Sequence, residues 1–331
     1  MNNRDFPDPL FISNNKIMQE RIRLIETYAK APSVKVVLLL GEPGTGKEYF
    51  ARHFKELSPR RNDPFVTINM SAIPDTMFES ELYGHARGAF TGAIGIRKGH
   101  VEAASEGIIF MDEVEALNQA SQAKLLRLIE YGDYFQVGSD EPKTTRAQFV
   151  VAMNKNPENL LHDGKLRRDF HDRIKRHVIK LLPLKDRRED IPLLAEHLLN
   201  WYAAKNGKTK LTKISECLLD ILVQYDWPGN VRELAGVIED AVIFSGDEAV
   251  ILDKIRIPTE DVEPFTSPVL GKDALPVNGT ALSLREEEKH RRITRIRSTL
   301  AKNEGNVSKS ALELGMPRST LNSMIKRNKI A

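Results

Sequence analysis

Apolar positions along the chain follow two rhythms. Short unbroken runs occur at 36–40 (Val-Val-Leu-Leu-Leu), 65–69, 107–113 and 148–153, each bounded by Gly, Pro or polar residues. Runs that short, apolar without alternation, predict strands buried on both faces. Between them the spacing is helical. Ile17, Ile22, Leu24, Ile25 and Tyr28 give residues 12–30 one apolar face, ended by Pro32. Tyr49, Phe50, Ala51, Phe54 and Leu57 mark a second helix, and Leu125, Leu126, Leu128 and Ile129 a third over 122–131. From 191 to about 245 the periodicity stays helical, interrupted at Trp227-Pro228-Gly229-Asn230. Strands alternating with helices, then helices alone, predict an α/β sheet unit (1–185) and a helical subdomain (186–258). The proline-containing charged stretch at 181–192 is the expected hinge.

The last part of the chain has a different character. Residues 259–280 carry Pro264, Pro268, Gly271, Pro276 and Gly279 and read as a linker. A charged amphipathic helix is expected over 284–300, a second helix over 306–314, a turn at Gly315, and a third helix over 317–327 opened by Pro317. A helix, a glycine turn and a proline-opened helix make a helix-turn-helix pattern. Charge separates this reading from an oligomerising helical hairpin. Residues 281–331 hold 12 Lys and Arg against 5 Asp and Glu, a net +7, whereas the whole chain is only +3. A basic tail on a mildly acidic body points to double-stranded DNA as partner of the tail alone. Arg318, Ser319, Thr320, Asn322 and Ser323 occupy the start of the third helix, where base edges would be met, with Lys326, Arg327 and Lys329 for phosphates.

Composition adds bounds. With 41% hydrophobic and 29% charged residues the chain reads as globular. No apolar stretch approaches the roughly 20 residues of a membrane span, and the start is no signal peptide, so the expected location is cytoplasmic. The single cysteine, Cys217, excludes an internal disulfide and a cysteine-built metal site. Its apolar neighbours Ile214, Leu218, Leu219, Ile221 and Leu222 suggest a small buried hydrophobe.

The chemistry concentrates at strand ends. Directly after the first strand come Gly41, Glu42, Pro43, Gly44, Thr45, Gly46 and Lys47, then a helix. Strand, glycine loop and helix form a P-loop: the glycines let backbone N–H groups converge on phosphates at the positive end of the helix, and Lys47 adds a full charge. Glu48 stands where the general pattern has Ser or Thr for magnesium. The third strand ends in Asp112-Glu113. Adjacent carboxylates after a buried run are expensive unless a cation or a reaction uses them. Downstream of a P-loop this reads as the Walker B strand, Asp112 holding Mg2+ and Glu113 taking a proton from, or orienting, the water that attacks ATP. Asn69 and Asn154 end two further strands, where open α/β sheets bind ligands; on its own Asn69 reads first as a turn residue. Arg167 and Arg173, on their own, read as a solvated charged face. In Gly88-Ala89-Phe90-Thr91-Gly92-Ala93, two glycines bracket an aromatic residue and hold it at a loop tip, as a contact surface would.

These residues together resemble the sigma-54-dependent transcription activators, bacterial enhancer-binding members of the AAA+ ATPases. Residues 88–93 carry the most specific part of the match, as the loop that engages sigma-54. The P-loop, Glu81-Leu82-Tyr83-Gly84-His85, Asp112-Glu113 and Trp227 to Leu234 carry the rest, and Gly305 to Ser308 with Pro317 to Leu321 resemble the Fis-type DNA-binding domain. The resemblance implies a Rossmann-like wedge with a helical lid, assembled as a ring, usually a hexamer, and followed by an all-α helix-turn-helix domain. It implies that Asn69 switches Glu113, that Arg167 and Arg173 complete a neighbour's ATP site, that Asn154 ends the first-sensor strand, and that Arg232 is the second sensor. An acidic residue at position 48 is itself a family trait. Phe90 and Thr91 would contact sigma-54 RNA polymerase, and the tail an upstream activating site.

Met153 (for Thr), Ala86 (for an acid), and Gln136, Gln148 and Lys185 (for Arg) depart from the family pattern. They leave the catalytic set intact and lead to an expectation of an active ATPase, slow or partner-dependent. The alternative is a DNA-binding regulator with a weak or uncoupled ATPase. Some 35 residues precede the first strand, so no receiver domain is expected in front, and regulation would come from a separate protein, expression level or ring assembly.

Overall fold

The computed structural model describes residues 13–246, 249–253, 255 and Lys309. The linker and helix-turn-helix expectations, with Arg318, Ser319, Thr320, Asn322, Ser323, Lys326 and Arg327, lie outside the described residues. The described residues up to 255 belong to one compact unit.

Its centre is a five-stranded parallel sheet of β1 (Val36–Leu40), β2 (Phe65–Asn69), β3 (Ile108–Asp112), β4 (Gln148–Met153) and β5 (Val178–Lys180), in the order β2-β3-β4-β1-β5. The unbroken apolar runs are explained by two cores, one on each face. Val36 and Leu38 of β1, Ile109 and Met111 of β3, and Phe149, Val151 and Met153 of β4 enter one core with Leu125, Leu128 and Ile129 of α3 (Gln119–Tyr131) and Phe170 and Ile174 of α4 (Arg168–Ile174). The alternate residues Val37, Leu39, Ile108, Phe110, Val150 and Ala152 enter the other, against α1 (Lys16–Lys30) and α2 (Lys47–Leu57). Period-two alternation thus decides which core each side chain fills.

The first helix begins later than the expected residue 12. Asn15 caps it, its side chain accepting from the Met18 N–H at 3.0 Å. Its buried stripe is Met18, Ile25 and Ala29, while Ile17 is 45% exposed. Ile25 is common to both readings, and Ile22, Leu24 and Tyr28 pack partly buried at the edge of the same core.

Inside the expected hinge, residues 184–190 form a 3-10 turn kinked at Arg187, with Leu184, Arg187 and Asp190 buried. Beyond it, α5 (Ile191–Lys205), α6 (Glu216–Gln224) and α7 (Asn230–Phe244) share a separate core around Leu198, Leu199, Leu222, Trp227 and Leu234. The all-helical expectation missed a parallel pair, β6 (Lys213–Ile214) with β7 (Ile251–Leu252). Cys217 is exposed, against expectation. Leu218 and Leu222 face inward on α6, and a residue one position earlier lies about 100° around the helix from Leu218.

Candidate functional site

The parallel sheet brings its candidate groups to one edge. Gly41 follows β1, Asn69 ends β2, Asp112 ends β3 in register with Asn69, and Asn154 follows β4. The glycine loop then turns into α2. Gly44 and Gly46 have φ of 77° and 105°, a left-handed backbone that favours glycine. A Cβ on Gly44 would lie 2.2 Å from the Gly229 carbonyl oxygen, whereas one on Gly46 would meet nothing within 4 Å. The loop is therefore closed on its lid side and open at the N-terminus of the eleven-residue α2, where no side chain caps the first N–H groups.

Lys47 is 6% exposed and donates to the carbonyls of Gly41 (2.7 Å) and Glu42 (3.1 Å) and to the Asn154 carboxamide oxygen. Burial pushes its pKa below the ordinary lysine value, partly offset by Asp112 and Glu115. Burial likewise holds the Asp112 carboxyl above the usual carboxylate range, against the opposing pull of Lys47. Desolvation thus outweighs mutual attraction for both groups, the state expected of charges that wait for a polyanion and its cation. Glu48 turns outward and pairs with Arg52 on the next helical turn at 2.6 Å. Thr45 Oγ1 donates to the Glu42 carbonyl at 2.7 Å, bracing the loop across Pro43 and Gly44.

Glu113 has φ 56° and ψ 42° and heads the 3-10 turn Val114–Ala116. A non-glycine residue in that region signals a position held by its surroundings. Its N–H donates to Asp112 Oδ1 at 2.9 Å. Asn69 is exposed, and its carboxamide oxygen accepts from the N–H (2.9 Å) and hydroxyl (2.8 Å) of Ser71. It stands beside Asp112 in the sheet with its oxygen bound as a turn residue's would be.

The helical subdomain grips the same loop. Asn230 is 1% exposed, accepts from the Leu184 N–H at 2.7 Å, and donates to the Pro43 carbonyl (3.1 Å) and to Glu42 (3.3 Å). The Val231 N–H donates to the Gly44 carbonyl at 3.0 Å, and the buried Arg187 to the Thr45 carbonyl at 2.9 Å. Arg232, exposed on the first turn of α7, is near enough to Lys47 to depress its pKa.

The other two arginines belong to α4, Arg167 as its N-cap and Arg173 in its last turn. Arg167, just before α4, forms a two-pronged bond with Asp169 of the same chain, and Arg173 reaches the Ile129 carbonyl at 3.5 Å. The fully buried Gln122 accepts from the Arg167 N–H at 2.9 Å and donates to the carbonyls of Leu117 and Lys165, fixing the turn that presents Arg167. Gln122, Arg187 and Glu115 are the site residues that sequence reasoning left out, and Asn230 was read only as part of the turn and motif at Trp227 to Leu234. Only their polarity within apolar or turn segments signals them.

Phe90 is 48% exposed at the tip of the 88–93 turn, which is closed by Gly88 N–H to Ala93 O and Ala93 N–H to Phe90 O. Its ring meets the edge of His85 at 5.0 Å between centroids, and Thr91 is exposed. The departures from the family pattern are absorbed locally. Met153 is wholly inside the core, Gln148 donates to the Val34 carbonyl, Gln136 donates to Glu102, and Ala86 donates its N–H to Val137.

The open glycine cradle, the orphan N–H groups of α2 and the desolvated Lys47 fit a nucleotide's phosphates. Among the described residues no group of three or more His, Cys, Asp or Glu is arranged to hold a metal. A lone carboxylate at a phosphate site, as Asp112 is beside Lys47, is the kind of donor Mg2+ takes, since it binds one or two carboxylates and completes its shell with phosphate oxygens and water. Among the described residues no helix is long and apolar enough to cross a membrane.

Residues 11–180 match the sigma-54 interaction domain family, and residues 185–263 the AAA+ ATPase lid domain family. The chain is 38% identical over 304 residues to the nitric oxide reductase transcription regulator NorR1 of Cupriavidus necator, covering 88% of this chain and 58% of that one. It is 36% identical over 337 residues to the DNA-binding transcriptional regulator NtrC of Azospirillum brasilense, covering 95% and 68%. The crystal structure of NtrX from Brucella abortus in complex with ATP is similar at a TM-score of 0.66 and 26% identity, over 96% of this chain and 69% of that one. The chain thus spans a little over half the length of NorR1, and 54% of the phenol regulator MopR of Acinetobacter guillouiae. With the glycine-flanked loop, the P-loop and the lid all inside the matched stretches, the chain belongs to the sigma-54 interaction domain family of AAA+ proteins.

Proposed function

We propose that the protein is an ATP-hydrolysing transcription activator that binds upstream DNA through residues 281–331 and remodels sigma-54 RNA polymerase. The observation that carries this reading is the gathering of Lys47, Asp112, Glu113 and Asn154 at one sheet edge, with Phe90 half exposed on a separate turn. Gly41 to Lys47 would bind the phosphates, Lys47 exchanging its carbonyl partners for phosphate oxygens. Asp112 would hold Mg2+, which neutralises charge developing on the transferred phosphoryl group. Glu113 would accept a proton from the attacking water, and Asn69 would position Glu113 after releasing Ser71.

Arg167 and Arg173 would act on a neighbouring protomer's nucleotide in a ring, with a hexamer as the expected size, and Arg232 would report nucleotide state to the lid. Arg167 must first leave Asp169. Both are exposed, where solvent screens such a pair and leaves it little net worth, so the exchange is easy. The ATP complex of NtrX, a related fold, supports nucleotide binding here. Phe90 and Thr91 would press on sigma-54, in a cytoplasmic location.

The test is open-complex formation with sigma-54 polymerase and ATP, comparing the native chain with Thr91→Ala. The variant should hydrolyse ATP at the native rate and open no promoter. Native-like promoter opening by the variant, or by a Glu113→Gln chain that no longer turns over ATP, overturns the reading.

A further inference from the structure

Glu115 has no role in the chemistry described so far, and its surroundings are unusual. It lies on the 3-10 turn that Glu113 heads. One carboxylate oxygen accepts from the Asn154 backbone N–H at 2.8 Å. The other is buried with no hydrogen-bond partner among the described residues. Buried carboxylate oxygens are normally satisfied, so this one stands out. Its charge also faces Lys47, whose pKa it raises against the effect of burial. Asn154 in turn gives its carboxamide oxygen to Lys47. A continuous chain of contacts therefore runs from Glu113 through its own rigid turn to Glu115, on to Asn154, and from there to Lys47.

We infer that Glu115 is a positioning residue: it ties Asn154 to the turn that carries Glu113, so that the residue meeting Lys47 and the proposed water-activating carboxylate move as one body. Without the tie the end of β4 would be held by its strand neighbours and by Lys47, which belongs to the glycine loop and not to the turn carrying Glu113. Asn154 could then shift relative to Glu113, and displacements of about 1 Å in such a set cost up to roughly a hundredfold in rate. The inference rests on the nucleotide reading for its kinetic part alone.

The test uses the full chain with Glu115→Ala and Glu115→Gln, glutamine keeping an oxygen acceptor of the same reach. Amide hydrogen exchange of Asn154 is measured without nucleotide, and ATPase kcat, KM and ADP affinity are measured alongside. Glu115→Ala should speed Asn154 exchange roughly tenfold. It should lower kcat about tenfold while KM and ADP affinity stay within about twofold, because the backbone N–H groups of the glycine loop and the Lys47 bonds to Gly41 and Glu42 are kept. Glu115→Gln should restore both exchange and kcat to within about threefold of native.

Unchanged Asn154 exchange in Glu115→Ala overturns the inference, as does a glutamine variant as impaired as alanine. Equal losses of kcat and ADP affinity would mark a general structural role and also overturn it. A native chain that hydrolyses no ATP would sink the proposed function, yet the exchange arm would still decide whether Glu115 holds Asn154.

Discussion

Asn230 is the side chain whose removal should cost most for its size. It is 1% exposed, has φ 55°, accepts from Leu184 N–H at 2.7 Å and donates to the Pro43 carbonyl at 3.1 Å and to Glu42 at 3.3 Å. Asn230→Ala leaves the Leu184 N–H buried without an acceptor, a loss of about 2 kcal/mol. Holding alanine in the left-handed region adds about 1 kcal/mol. The bonds to Glu42 and Pro43 lie at an exposed loop, where water replaces much of them, so they add about 0.5 kcal/mol together. The sum, about 3.5 kcal/mol, is a large part of the roughly 5–15 kcal/mol that holds a domain folded. It corresponds to a fall in Tm of about 10 °C for a domain of this size. Asn230→Asp keeps the acceptor and tolerates the backbone; compared at a pH low enough to protonate its carboxyl, which would otherwise face the Glu42 carboxylate and the Pro43 carbonyl, its expected cost is about 0.5 kcal/mol, from the donations it loses. Urea unfolding with linear extrapolation measures both variants. An alanine cost below about 1 kcal/mol, or aspartate as costly as alanine, refutes the assignment of stability to the Leu184 bond and the left-handed backbone.

Asp112→Asn should raise the Tm of the nucleotide-free protein at neutral pH. Burial lifts the Asp112 pKa in the folded state above its unfolded value, so native stability should grow as pH falls through that raised pKa toward about 3.9. The variant should lack that gain, and a variant Tm below native at pH 7 counts against it. Gly44→Ala places a Cβ 2.2 Å from the Gly229 oxygen at φ 77°; ADP titration should show at least a roughly tenfold loss of affinity, and native affinity contradicts the close approach. Arg167→Ala should reduce ATPase by about 10³-fold with ADP affinity unchanged. Mixing it with Lys47→Ala chains should restore part of the activity, because some interfaces then pair an intact Lys47 with an intact Arg167; no recovery argues against a shared site.

The strands and most helices were legible because the sheet is covered on both faces, and burial of Val36, Leu38, Val37 and Leu39 on opposite sides leaves no polar position to break the run. The glycine loop was legible because its function demands backbone geometry that few residues adopt. What sequence hid was decided by partners far along the chain. Asn230 and Glu42 are 188 positions apart, and Arg187 and Thr45 are 142 apart. Glu115 and Asn154, 39 apart, meet only because β3 and β4 are neighbours. Local rotation defeated two further readings: Cys217 and Ile17 each sit beside an apolar stripe, and one residue of phase on a helix separates inside from outside.

The distribution of ties around the glycine loop bears on how force would travel. The loop is fastened to the lid by Gly44 to Val231, Pro43 to Asn230 and Thr45 to Arg187, so these parts behave as one block. On the far side of the pocket, Asn69 is held by the exposed Ser71 alone among the bonds recorded for its carboxamide oxygen, and Glu113 occupies a left-handed backbone position. Exposed hydrogen bonds exchange readily with water, at a net cost of about 1 kcal/mol, whereas the bond from Arg187 to the Thr45 carbonyl, which ties lid to loop, is buried. A change at the outer phosphates would therefore be taken up along the β2–β3 edge rather than by the lid. That edge continues from Asn69 through residues 70–83 to His85 and the Phe90 turn that packs on it. On the proposed reading, the softness of the Asn69–Ser71 contact is what lets chemistry at Asp112 and Glu113 reach a loop that shares no strand with them.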